Sequence, residues 1–446
     1  MTTIINNEHK KLNVPNKREQ NQTCLDSAER EGLRPKGNVP NLRFPEFQGE
    51  WKICKVSDLL DFYSTNSLSW DQLEYGTSNI QNLHYGLIHV GLPTMIDVEK
   101  DNLPNIIDGN VPNNYELCKD GDVAFADASE DTNEVAKAVE FYNLNGKKVV
   151  CGLHTIHGRD NKNKTVVGYK GYAFSSMLFH HQIRRIAQGT KIYSINSKNF
   201  SECYIGIPSK EEQKKIATLL RLIDERIATQ SKIIDKLQSL IKGLNNHLYQ
   251  QCGNEIETSF ADLGVSYSGL SGKTAADFGS GMPFITYLNV YSNNVIDEAS
   301  YQYVRMGNNE KQNIVRYGDV LFTLSSETPE EVGIGSVYLG NQEVYLNSFC
   351  FGIHISNTQK AFSPYLSYYI STAQFRKFIY PFAQGSTRFN LCKADFEKAT
   401  IKLPTLENQK RIYKALKSLS DKIMVEKATL EQYSRQKQYL LRQMFI

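Results

Sequence analysis

Apolar residues recur in steps of four and three along Ile216, Leu220, Ile223, Ile227, Ile234, Leu237, Ile241, Leu244 and Leu248, a heptad seam of more than four repeats. The spacing predicts a long α-helix with one face turned to a partner helix. Gln230 is the polar residue within that series. A second series reads Ile412, Leu416, Leu419, Ile423, Leu430, Tyr433, Leu440 and Met444, with Glu426 at the place equivalent to Gln230 and Lys437 as a further interruption. Each apolar side chain left in water forfeits roughly 1.5 to 3 kcal/mol of burial, so two such seams are natural antiparallel partners. A helix from Ser209 to Gln250 runs roughly 60 Å at ~1.5 Å per residue, longer than packing on one compact domain requires, which points to a spacer. Its start, Pro208-Ser209-Lys210-Glu211-Glu212, predicts a capping box with Ser209 as N-cap and Glu212 reaching back. Pro404-Thr405-Leu406-Glu407 repeats the start signal for the second helix.

The two helices belong to a repeat that covers most of the chain. Gln188-Gly189 returns as Gln384-Gly385, Phe200 as Phe396, Ile205 as Ile401, Pro208 as Pro404, Gln213 as Gln409 and Ile216 as Ile412, all at an offset of 196. Upstream, Gly121-Asp122-Val123 answers Gly318-Asp319-Val320, and Asp58-Leu59 with Tyr63-Ser64 answers Asp262-Leu263 with Tyr267-Ser268. Short runs rich in Tyr, Val and Ile, such as Ile285–Val290 and Gly318–Thr323, alternate with Gly, Asn and Asp and read as strands bounded by turns. The expected fold is therefore α/β (α+β): globular domains over residues 41–208 and 253–404, separated by helices over 209–252 and 405–446 that form an antiparallel coiled coil, with a pseudo-two-fold repeat. Residues 1–40 are polar, Asn- and Lys-rich and aperiodic, and read as a loosely held tail.

At 446 residues the chain has room for two or three cores, and 40% hydrophobic with 22% charged residues is a globular balance. A formal charge of +3 permits nucleic-acid binding without arguing for it. The eight cysteines (24, 54, 118, 151, 203, 252, 350 and 392) stand singly, with no CxxC pair, and read as buried free thiols in a reducing cytoplasm. No apolar run approaches the ~18 residues of a membrane span.

Catalytic motifs fail on inspection. Gly272-Lys273-Thr274 resembles the end of a phosphate loop, but Tyr267 stands where that loop requires its first Gly. No Pro-Pro dipeptide is present, so the Asp/Asn-Pro-Pro-aromatic motif of an adenine methyltransferase is missing. His154-Thr-Ile-His157 and His180-His181 lack a third ligand at convincing spacing, and no metal is expected. What remains are loops mixing Gly with hydroxyl, amide and basic side chains. Arg and Lys neutralise phosphates, while Asn, Gln and Arg pair with base edges, so these loops are equally readable as solvated turns or as a DNA-facing surface. The candidates for DNA contact are Ser64, Asn66 and Ser67; Arg159 and Lys162; Gln188, Thr190 and Lys191; Ser268, Ser271, Lys273 and Thr274; Tyr287 and Asn289; and Gln384, Ser386, Thr387 and Arg388.

Several stretches resemble the specificity subunits of type I restriction-modification enzymes. Val39-Pro-Asn-Leu-Arg-Phe-Pro-Glu-Phe-Gln-Gly-Glu-Trp51 is similar to the start of their first target-recognition domain. Ala126-Asp-Ala-Ser-Glu-Asp131, Gly152-Leu-His-Thr155, Tyr267-Ser-Gly-Leu-Ser-Gly-Lys273, Phe284-Ile-Thr-Tyr-Leu-Asn-Val290 and both Gln-Gly pairs resemble recurring sequences of such domains. The helix starts at Pro208 and Pro404, with Gln213 and Gln409, resemble the two spacers, and Lys242-Gly243-Leu244 the end of the first; Tyr439-Leu440 and Lys437 depart from that pattern. The resemblance implies two recognition domains, each reading half of a bipartite, asymmetric double-stranded DNA target. It also implies assembly with two methyltransferase subunits and two motor-nuclease subunits. Catalysis, S-adenosylmethionine, ATP and Mg2+ then belong to those partners, and this chain carries no catalytic residue, cofactor or metal. Against it stand an enzyme reading and a coiled-coil adaptor without DNA specificity.

Overall fold

A computed structural model describes residues 37–446 except 77, 78, 253, 254 and 308, so most of the expected N-terminal tail lies outside the described residues. The chain divides into two compact units, one running up to Thr229 and resuming over Leu430–Ile446, the other Gln230–Thr429. Each holds a globular part and a segment from each of two long helices, α1 (Lys210–Cys252) and α2 (Leu406–Gln443). No helix among the described residues is long and apolar enough to cross a membrane.

The repeat is visible strand by strand. In the first unit β1 (Asp61–Tyr63), β2 (Val123–Ala126), β3 (Ala138–Asn143) and β4 (Thr155–Arg159) form a sheet in the order β1-β4-β2-β3, extended by Met95–Asp97. In the second, β5 (Gly264–Ser268), β6 (Val320–Thr323), β7 (Gly335–Val337) and β8 (Cys350–Ile355) take the order β5-β8-β6-β7. β2 and β6, the strands after the repeated Gly-Asp, are buried at every residue because both sheet faces are covered. On one face of each sheet lies a phenylalanine cluster. Phe125 meets Phe174 at 4.9 Å and Phe200 at 4.7 Å in the first unit, and Phe260, Phe322 and Phe396 meet at 5.1 to 5.4 Å in the second.

Every predicted seam position on both long helices is buried or half-buried. In the first unit Ile216, Leu220 and Ile223 of α1 share a core with Leu440 of α2 and with Met444 and Phe445 beyond it. There the interruption Lys437 is matched by Asp224 at 2.7 Å, whose other oxygen accepts from the Tyr172 hydroxyl at 2.9 Å. In the second unit Ile412 and Leu416 pack with Ile241, Leu244 and Leu248. There Gln230 donates to the Glu426 carbonyl at 3.2 Å and to its carboxylate, as the shared polar break requires. Lys422, ahead of Gln230, holds Glu426 below the usual carboxylate pKa. Replacing Gln230 and Glu426 together by Leu is expected to leave the melting temperature unchanged or higher, since a well-packed apolar pair often substitutes for a polar one. A marked drop in a thermal scan would mean the pair is indispensable.

The helix starts differ from expectation in one respect. Ser209 Oγ does accept the Glu212 N–H at 3.2 Å, but the Glu212 carboxylate does not return to the N-cap. It receives Arg43 Nε and Nη2, both at 2.7 Å, and Trp51 Nε1 at 3.2 Å. The 39–51 stretch thus docks on the first turn of α1, where a carboxylate also suits the helix dipole. Gln213 and Gln409 do identical work. Gln213 Oε1 accepts from Val166 N at 2.9 Å, and its amide donates to Pro208 O at 2.9 Å and Lys164 O at 3.2 Å. Gln409 Oε1 accepts from Phe362 N at 2.8 Å, and its amide donates to Lys360 O at 2.8 Å and Pro404 O at 2.9 Å.

Candidate nucleic-acid interface

The two Gln-Gly pairs build the same device. In the first unit Gln188 and Ser194 exchange backbone hydrogen bonds of 2.9 and 2.8 Å, which close a tight hairpin. Gly189 sits at φ 134°, and a Cβ there would fall 1.9 Å from the Ile192 carbonyl oxygen, so only glycine fits. In the second unit Ala383–Gln384 pairs with Phe389–Leu391, Gly385 sits at φ 138°, and its Cβ would fall 2.1 Å from the Arg388 carbonyl oxygen. Each hairpin is braced by a further strand: Ala128–Ser129 against Tyr193–Ser194, and Ser325–Ser326 against Phe389–Asn390.

The tips carry Thr190, Lys191 and Ile192 in one unit and Ser386, Thr387 and Arg388 in the other, all exposed. Gln188 and Gln384 at the hairpin bases are exposed as well. Among the described residues neither Lys191 nor Arg388 forms an ion pair. A hydroxyl beside an unpaired cation on an exposed hairpin tip can engage phosphate oxygens and base edges together. Ahead of each hairpin a short helix ends on basic residues, Arg184 and Arg185 in the first unit and Arg376 and Lys377 in the second. Arg376 is spent on the carbonyls of Glu330, Val332 and Gly333 at 2.6 to 3.0 Å.

The other expected residues divide. Ser64, Ser67 and Ser268 are exposed, as is Lys162, whose ammonium reaches the Asp58 carbonyl at 2.9 Å. Asn66 is committed to Asn82 Oδ1 at 2.7 Å and Cys151 O at 3.1 Å. Ser271 exchanges two hydrogen bonds with the Gln312 amide, and Thr274 caps a single turn through Asp277 at 2.8 Å. Lys273 is clamped by Glu310 and the Arg305 carbonyl, and the Tyr287 hydroxyl donates to Ser325 O at 2.8 Å.

Two residues expected to face DNA are interior. Asn289 is 3% exposed and ties Asp297 through its backbone N–H and carbonyl. Arg159 is 6% exposed, because β4 directs it inward onto Asp122, with bonds of 2.9 and 2.8 Å, and onto Glu116 at 2.5 Å. Burial alone would lower the Arg159 pKa; the two carboxylates reverse that and raise it. Asp122 also accepts from His157 Nε2 at 2.8 Å, and these bonds outweigh burial to hold its pKa low. In the second unit Asp319 accepts from Tyr267 OH at 2.7 Å, His354 Nδ1 at 2.8 Å and Arg316 N at 2.8 Å, yet burial dominates and raises its pKa. The repeated Gly-Asp thus marks a structural pin in each unit. Among the described residues one group could hold a metal, Cys118, Cys151 and His157, all buried.

Comparison with known proteins agrees with the repeat. The family model described as type I restriction modification DNA specificity domain matches residues 98–239 and 272–433, each stretch containing one hairpin. A provisionally named MjaX type I restriction enzyme specificity subunit of Methanocaldococcus jannaschii is 23% identical over 437 residues, covering 91% of this chain and 95% of its own. The crystal structure of a type I restriction-modification S subunit from M. genitalium superposes with a TM-score of 0.51 at 14% identity, covering 92% of this chain and 99% of that one. A chain from a structural study of type I R-M complex assembly superposes at 0.55 with 15% identity, covering 88% and 96%. These likenesses establish a shared fold.

Proposed function

This chain belongs to the type I restriction modification DNA specificity family, and from that premise we propose that its two hairpin tips read the two halves of a bipartite, asymmetric target. As a specificity subunit it supplies DNA recognition to a type I restriction-modification system. The observation that carries the reading is the recurrence of one glycine-dependent hairpin in both units with different tips, Thr190-Lys191-Ile192 and Ser386-Thr387-Arg388. A repeated support with unlike tips suits two unlike half-sites. Catalysis belongs to partners in this proposal: two methyltransferase subunits that bind S-adenosylmethionine, and two motor-nuclease subunits that use ATP and Mg2+, in the cytoplasm.

The test uses this chain with its methyltransferase partner. Arg388→Ala is expected to weaken target binding by roughly tenfold to a hundredfold, the ~1 to 3 kcal/mol of one good base or phosphate contact, and to relax methylation specificity in one half-site. Exchanging residues 41–208 for another recognition domain should change the other half-site alone. Methylome sequencing that finds both halves altered by either change, or Arg388→Ala binding like the parent, would overturn the assignment of the hairpins.

A further inference from the structure

Three side chains from three separate segments converge in the core of the first unit. Cys118 bonds by its backbone N–H to Val149 O at 2.8 Å, Cys151 ends the strand Val149–Cys151, and His157 lies on β4. Their ligand atoms all lie within 4.8 Å of one another, and the two sulfurs are 3.6 Å apart. That separation is far beyond the ~2.05 Å of a disulfide. It matches the ~3.8 Å edge of a tetrahedron with metal–sulfur bonds of ~2.3 Å. His157 is fully buried; its Nε2 is taken by Asp122 at 2.8 Å, and Nδ1 has no partner. A histidine buried beside two thiols that gives one nitrogen to a carboxylate and keeps the other unpartnered has the arrangement of a metal ligand with its supporting carboxylate.

The second unit supplies the contrast. The place of Cys118 is taken by Val315, whose N–H bonds to Val344 O at 2.8 Å in the same way. Cys151 pairs with Leu83 in a parallel ladder, and Leu346 pairs likewise with Ile285. Val315 and Leu346 are fully buried among apolar neighbours. Strand register puts Gly352 at the place of His157, since Val123 faces Gly158 as Val320 faces Ile353, and His354 stands where Arg159 does. The imidazole therefore accompanies the two cysteines and is missing where they are replaced.

We propose that the first unit carries a structural site for a soft divalent metal, zinc in the first instance, on Cys118 Sγ, Cys151 Sγ and His157 Nδ1. Loading releases the two thiol protons to solvent and forms two metal–thiolate bonds; His157 lends the Nδ1 lone pair and keeps its Nε2–H on Asp122. A divalent ion with two thiolates is neutral, so the loaded site buries no net charge beside the matched Asp122 and Arg159. Three protein donors leave the fourth position to a water, and burial denies it to any substrate, which makes the role one of tying the 116–118 segment, the Val149–Cys151 strand and β4 together.

The probe is zinc itself, measured by mass spectrometry on the untagged full chain after gel filtration, with cobalt loading as a spectroscopic readout. The parent chain is expected to hold about one zinc, and C118V/C151L, which copies the lining of the second unit, to lose it. Cobalt in the parent should give a thiolate charge-transfer band that the double variant lacks. Should that variant not fold, Cys151→Ser is expected to roughly halve the band, with one thiolate remaining. A parent chain that binds no zinc, a double variant that keeps it, or thiol titration showing a Cys118–Cys151 disulfide would each overturn the proposal.

Discussion

Gln409→Leu is expected to destabilise the second unit by about 3 to 5 kcal/mol, a large effect for a near-isosteric change. Leu fills the space of Gln409, which is wholly buried, so packing is little altered. What disappears is the set of three hydrogen bonds to Phe362 N, Lys360 O and Pro404 O. Each stranded backbone group costs about 1 to 3 kcal/mol when water cannot replace the partner. Hydrogen exchange at the Phe362 amide reports the loss at the site itself. Protection of that amide should fall by two orders of magnitude or more, about 1.4 kcal/mol per tenfold. Exchange as slow as in the parent would show that Gln409 does not hold the start of α2. Gln213 makes the same three bonds and should behave alike in the first unit.

The second large effect concerns a buried ion pair that one repeat has and the other lacks. Glu140 is fully buried, with Lys170 at 3.1 Å and the N–H groups of Gly168 and Gly171 at 2.8 and 2.7 Å. Burial raises its pKa despite the neighbouring ammonium. Strand register fixes the equivalent in the second unit: Val123 faces Glu140 as Val320 faces Val337. The offset that matches Gln213 to Gln409 places Leu366 at the position of Lys170. Glu140→Val alone leaves Lys170 buried without its counter-ion and should cost about 3 to 5 kcal/mol. Adding Lys170→Leu should recover more than half of that loss, the remainder reflecting the two glycine N–H groups. Trp51, buried in the first unit, is a convenient fluorescence reporter for denaturant unfolding. A double variant no more stable than the single would show that charge matching is not what Lys170 needs.

Much of the architecture was legible because it is periodic. A seam with helical spacing can be buried only as a helix, and a constant offset means a repeated unit, so α1, α2, the Gln230–Glu426 contact and the two globular parts were predictable. Side-chain destinations were less so. The Glu212 carboxylate satisfies the local pattern of a capping box, yet Arg43 and Trp51, far away in sequence, compete for it and win. Arg159 and Asn289 have the chemistry of base-reading residues, but chemistry does not say which way a strand or helix turns them. The sequence shows Gln-Gly twice; only the backbone angles explain why glycine must follow. Cys118, Cys151 and His157 have no motif spacing because strand pairing, not local sequence, assembles them.

The hairpins also separate inheritance of shape from inheritance of content. Their closure rests on backbone hydrogen bonds and one glycine, so the three side chains at each tip perform no scaffolding. A handful of codons can therefore be rewritten, in either half independently, while the framework beneath them stays constant. A lineage under pressure to alter what such a surface presents would find these tips cheap to vary, and Gly189 and Gly385 nearly impossible to.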